Sequence, residues 1–124
     1  MSTEEIAGSW FQYFPEHYLW SQVLCGVLNQ SHSGGSNLFE TDQVGKRLLG
    51  KEGDGEAWYQ EWHAMAEKTQ ALAEAEEKKD HMITASAAYI RSAIYHYTCE
   101  RFIPPTDPRK EASYRNQLPP FEKG

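Results

Sequence analysis

The sequence is poor in most of what would let a chain bind nucleic acid, lipid or metal. Its 12 Lys and Arg are outnumbered by 18 Asp and Glu, for a formal charge of -6. That leaves no surplus positive charge to neutralise phosphates or hold an anionic surface. Only two cysteines occur, Cys25 and Cys99, with no C-x-x-C spacing, and both fall inside apolar helical patterns. This suggests buried thiols in a reducing compartment. No run approaches the roughly 18 apolar residues of a membrane span. The start, MSTEEIAGSW, has neither the basic nor the apolar region of a secretory leader; a cytoplasmic location is the expectation. The five histidines, His17, His32, His63, His81 and His96, form no H-x-x-x-H pair, so no metal and no cofactor is expected. There is no phosphate loop and no G-x-S-x-G. Convincing period-two alternation, the mark of half-buried strands, is missing as well.

What the sequence has is rings and helical periodicity. Of its 124 residues, 13% are aromatic, with 4 Trp and 7 Tyr, and 40% are hydrophobic. A chain of this length can bury roughly two-thirds of its unfolded surface, enough for one core. Residues 1–14, with Trp10, Phe11, Tyr13 and Phe14, read as an aromatic N-terminal arm, and 15–124 as a single helical, cap-like domain. Pro15 suits a first helical turn. From Glu16 to Gln30, Leu19, Val23, Val27 and Gln30 form one stripe, with Trp20, Leu24 and Leu28 beside it. SHSGG makes a loop. Ser36 is placed to cap a second helix running to about Leu49, with Leu38, Val44, Leu48 and Leu49 apolar.

The segment from Asp54 to Phe102 reads as two long helices folded back on each other. Asp54 caps the first, Glu56 sits in its opening turn and Lys78 and Lys79 in its last, the order that suits the helix dipole. Trp58, Trp62, Met65, Thr69, Leu72 and Glu76 recur at helical spacing and make a seam, while Glu61, Glu67, Lys68, Glu74, Glu77 and Lys78 form a solvated face. After a turn at Asp80 and His81, a helix from Thr84 to about Phe102 carries Ala85, Ala88, Ser92, Tyr95, Cys99 and Phe102 on its own seam. So short a turn makes the pair antiparallel. Pro104 and Pro105 end it. Asp107 and Pro108 start a fifth helix, which Pro119 and Pro120 should end near Leu118. The fold class is all-α, about five helices built on the 54–102 hairpin, without a sheet. One hairpin is too few for a tetratricopeptide-like solenoid, which needs about three repeats.

Tyr18-Leu19-Trp20-Ser21, Ala57-Trp58, Glu61-Trp62, the turn at His81, Ala88-Tyr89-Ile90-Arg91-Ser92-Ala93, Tyr95-His96-Tyr97 and Glu100-Arg101-Phe102 together resemble the N-terminal helical region of one α/β-hydrolase group. That group includes 2,6-dihydroxypseudooxynicotine hydrolase, the fungal yellowish-green pigment polyketide-shortening hydrolases and relatives of the fermentation-respiration switch protein. The resemblance runs from about His17 to Phe121. Asp80 departs from it, standing where the pattern usually has glycine, at a position suited to a left-handed backbone.

The resemblance implies a helical cover on an α/β-hydrolase core, helping to wall the substrate cleft. In such enzymes a Ser-Asp-His triad on that core cleaves carbon-carbon or ester-like bonds. The nucleophile needs a strand-turn-helix elbow flanked by glycines, and none of the serines here has one. No catalytic residue is therefore expected in this chain, whose alternatives are a piece of a longer enzyme or a truncated relative that works by binding. Implied substrate contacts are Tyr18, Trp20, Arg91, Tyr95, His96 and Tyr97. Tyr95, His96 and Tyr97, with the apolar face around Trp20, should point outward. Arg91 also suits a bridge to a carboxylate such as Glu61, His81 suits the helix ends at the hairpin turn, and Trp58 and Trp62 suit the core. The partner is an α/β-hydrolase catalytic domain, in cis or in trans, with a small aromatic or polyketide-like substrate only in its company. The alternative is a free-standing interaction module, a homodimer through the Trp20 face.

Overall fold

The structure is a computed structural model that describes Phe14 and residues 16–123, apart from the Phe121 side chain. The expectations for Trp10, Phe11, Tyr13 and Pro15 lie outside the described residues. Five α-helices follow in order: α1 Tyr18–Asn29, α2 Leu38–Leu48, α3 Gly55–Lys78, α4 Met82–Cys99 and α5 Arg109–Lys123, with a 3-10 turn at Gln30–Ser33 after α1. There is no strand among the described residues.

Local chemistry sets each start. His17 Nδ1 accepts from the Trp20 amide at 3.2 Å. Asn37, one residue beyond the expected Ser36, caps α2 through the Phe39 and Glu40 amides. The Ser36 hydroxyl instead donates back to the Val27 carbonyl and fastens α2 to α1. Asp54 caps α3 as expected, accepting from Glu56 and Ala57. Gly55 opens that helix because a Cβ there would collide with the carbonyl oxygen of Phe102, in the turn just beyond the end of α4. Close backbone approach, not conformational freedom, requires glycine there.

Between α3 and α4 the chain closes a Schellman turn: the Asp80 amide bonds Glu77 O and the His81 amide bonds Glu76 O. Asp80 holds φ 64, the left-handed position the sequence pattern points to. His81 Nδ1 lies 2.6 Å from Glu76 Oε2 and ties the turn to the end of α3. So short a connection lays α3 and α4 antiparallel, and they share the most extensive interface. Its α3 side buries Trp58, Trp62, Met65 and Thr69, as read from the spacing. Past Thr69 the buried line shifts to Ala73, leaving Leu72 44% exposed. The α4 side buries Ala85, Ala88, Ser92, Tyr95 and Cys99. The small residues at one end and the rings at the other split the core into an alanine-rich patch and a tryptophan-rich body.

The last helix differs most from expectation. Pro119 and Pro120 lie inside α5 rather than ending it. Each removes an N–H donor, yet tertiary contacts hold the final turn: Pro120 is buried, and Lys123 reaches Glu77 of α3 at 3.1 Å and lies over the Tyr89 ring of α4. At the other end Arg109 pairs with Glu56 at 2.7 Å, so α5, which packs against α4, points in the same direction as α3. Two smaller corrections concern burial. Cys25 is exposed while Cys99 is buried, and neither is disulfide-bonded; Leu38 and Leu49 are half exposed. α2 instead turns Thr41, Val44, Gly45 and Leu48 inward, one helical stripe away.

Candidate functional site

The aromatic residues assemble mostly inward. Phe14 meets Trp20 edge-on at 5.1 Å, Trp20 meets Trp58 at 4.9 Å, and Trp58 meets Phe102 at 4.9 Å and Trp62 at 5.7 Å. Trp62 continues to Tyr95 at 5.5 Å. Rings offset or edge-on at these separations gain attraction beyond their buried area, and Trp58 Nε1 donates to Thr98 O at 2.9 Å across the hairpin. Trp20 and Tyr95 are thus interior residues, and the expectation that they point outward is corrected. α1 turns Trp20 inward because Leu24, Val27 and Leu28 lie on the same side of the helix.

A polar node sits at the edge of this core. Tyr95 donates to Glu40 Oε1 at 2.8 Å and accepts from the Asn37 amide at 2.9 Å, and Arg91 Nε donates to the same Glu40 oxygen at 2.9 Å. Burial, then the Glu40 charge, raises the Tyr95 phenol above its ordinary range. Arg91 is a structural bridge as read, but its carboxylate is Glu40, not Glu61, which faces Arg47 at 3.8 Å. The node pins the start of α2 to the middle of α4.

His96 is also interior. Its Nε2 lies 3.2 Å from Gln70 Oε1, its buried Nδ1 has no partner, and the His63 ring stands edge-on at 5.8 Å. Burial, reinforced by His63, holds His96 down to about 4. It is a neutral imidazole near pH 7. One turn further on, Cys99 Sγ contacts the His96 carbonyl at 3.1 Å and Ser113 Oγ at 3.4 Å, and burial pushes the thiol up to about 11. A thiol so held is not a nucleophile at neutral pH. Among the described residues no group of three or more His, Cys, Asp or Glu is placed to hold a metal ion, and no helix is long and apolar enough to cross a membrane.

Of the six implied contacts, Tyr18 and Tyr97 alone are well exposed, at 76% and 47%. Tyr97 borders a groove of about 380 Å³ between α1 and the end of α4, with Val23, Gly26, Arg101 and Phe102. A second exposed region flanks the 3-10 turn. One hollow of about 430 Å³ is lined by Met82, Ile83, Ala87, Ile90 and Gly34, and another of about 350 Å³ by Cys25, Leu28, His32 and Leu38. Ile83 is 89% exposed and Phe39, next to Leu38, 82%. No Lys, Arg, Asp or Glu lines either hollow, in a chain that is 24% charged. Attention to the seams alone passes over these residues. The signal for them was the apolar side chains off the stripes, Phe39 and Met82-Ile83.

Hydrolase acrC of Aspergillus aculeatus is 31% identical over 116 residues, covering 92% of this chain and 26% of its own length. 20-Hydroxy-prefusarin hydrolase FUS2 of Gibberella moniliformis is 38% identical over 96 residues, covering 73% of this chain and 23% of its own. This chain resembles one quarter of a fungal hydrolase. The α/β hydrolase xenA of Xenoacremonium sinensis adds a weaker likeness, 28% identical over 82 residues and 19% of its length. The hydrolase resemblance carried by the Trp and Tyr pattern is therefore shown, and the hydrolase-like region spans about a quarter of the relatives it matches. No family profile matches it, and no solved structure matches it.

Proposed function

We propose that this hydrolase-like region is a helical cover that packs on an α/β-hydrolase catalytic body and helps wall its substrate cleft, with the nucleophile on that body. The supporting observation is the uncharged, apolar surface around the 3-10 turn, where Ile83 stands in solvent and Leu38, itself half exposed, lines one of the two hollows. Large exposed apolar patches mark interaction sites, and depletion of charge at the centre is the compositional mark of an interface core. The relatives, about four times as long as the stretch they share with this chain, supply the kind of body that would cover it. Within the cover, the neutral His96 and the internally paired Arg91 serve packing. Tyr18 and Tyr97 are the implied contacts free to meet a substrate.

The test uses hydrolase acrC lacking the stretch that matches this chain, co-expressed with the chain and assayed on an activated aryl ester. Co-purification and restored turnover with the native chain, both lost with Ile83→Asp, support the cover. Equal binding of the native and Ile83→Asp chains, or self-association of the chain through Ile83 with no capture of the body, overturns it.

A further inference from the structure

We infer that the groove between α1 and the C-terminal end of α4 is a binding site for a small organic carboxylate with an apolar body. Two observations carry this, and neither depends on a catalytic body, because the groove lies wholly within the described residues.

The first is an uncompensated charge. Of the five arginines in the sequence, Arg47, Arg91, Arg109 and Arg115 each meet a carboxylate. Among the described residues Arg101 alone does not. Its guanidinium lies 5.6 Å from the centre of the Tyr97 ring and reaches the Tyr97 hydroxyl at 3.4 Å. The adjacent acid, Glu100, is already held by Lys110 at 2.9 Å. In a chain with a net charge of -6, a guanidinium without a carboxylate at the mouth of a groove stands out, and its planar fork matches a carboxylate better than any other anion of that size except phosphate.

The second is Gly26. It stands inside α1, where glycine costs helix stability relative to alanine, and a Cβ built there meets nothing within 4 Å. Packing within the chain does not call for glycine at this position. Gly26 lines the groove, and the missing side chain keeps it open. Val23, Val27 and Phe102 supply an apolar floor, and Gln22 and Gln30 supply amides on the rim. At about 380 Å³ the groove falls within the range of small-molecule sites. The carboxylate would lie against Arg101 and the Tyr97 hydroxyl, the apolar body along Val23 and Phe102.

The experiment is isothermal titration of the full chain with 2-naphthoate and with its neutral counterpart, 2-naphthylmethanol. The native chain should bind the acid about fivefold more tightly than the alcohol, as one exposed charge pair allows. Arg101→Gln should erase that preference while keeping alcohol binding. Gly26→Leu, which suits a helix, should abolish both without lowering the melting temperature. Arg115→Gln, a control on an exposed arginine of α5, should change neither. Absence of binding at millimolar ligand overturns the inference, as does equal binding of acid and alcohol, a preference that survives Arg101→Gln, or unchanged binding by Gly26→Leu.

Discussion

His96 is the side chain whose burial has the clearest measurable consequence. Held down to about 4 in the folded chain against about 6.5 for an unperturbed histidine, it takes up its proton later than the unfolded chain does. Its contribution to stability is complete above pH 6.5, is lost as the pH falls from 6.5 to 4, and changes no further below that. The span corresponds to roughly 3 kcal/mol. The half-buried carboxylates Glu76 and Glu77, held low by His81 and Lys123 respectively, act only below about 4.5. Urea unfolding of the native chain should therefore show falling stability between pH 6.5 and 4.5, and His96→Gln should flatten that slope. An unchanged slope in the variant would place the titration elsewhere. Asp80 offers the opposite case, a strained position with an available remedy. At φ 64 it occupies the C′ site of the Schellman turn, where a side chain costs what glycine does not. Asp80→Gly should raise the urea midpoint by the equivalent of about 0.5–1 kcal/mol, the left-handed backbone cost less glycine's greater freedom in the unfolded chain. A lower midpoint would mean that the Asp80 side chain contributes more than its backbone costs.

At the scale of the helix, period and caps carried the fold. Asp54, the Trp58 and Trp62 seam and the tight turn at Asp80 and His81 were legible because each is fixed by neighbours within four residues, while the left-handed backbone at Asp80 was signalled only by the glycine that the resembling family usually carries there. The features that were not legible depend on which helix lies beside which. Arg91 meets Glu40 because α2 packs by its N-terminal end against α4, and sequence spacing holds no trace of that. Likewise Pro119 and Pro120 carry a strong local stop signal, overruled by the burial of Pro120 and the Lys123 pair with Glu77. The local cost still remains. Pro119 is exposed, so Pro119→Ala restores an N–H able to reach the Arg115 carbonyl and removes a ring clash, worth about 1 kcal/mol or more. A higher melting temperature is the expected outcome. A lower one would show that the proline's rigidity, not the contacts of Lys123, sets the course of the last turn.

Across the whole molecule, the rings make the core and leave two surfaces exposed. The seams were readable as core, but the outward direction assigned to Trp20, Tyr95 and His96 was not, since a helix that is apolar over a wide arc does not declare which side is covered. The surface around the 3-10 turn, uncharged and carrying Ile83 and Leu38, is the one that fits a large partner, and the groove at Arg101 fits a small ligand. Ile83 is 89% exposed, so Ile83→Asp should leave the chain's own stability within about 0.5 kcal/mol, which separates loss of docking from loss of folding. The decisive measurement is recovery of ester turnover when this chain is supplied to hydrolase acrC deprived of the matching stretch. Turnover restored by the native chain and not by Ile83→Asp is the expected result. A trimmed hydrolase that gains nothing from the native chain, or gains as much from Ile83→Asp, would contradict the reading of this chain as a helical cover docked through that surface.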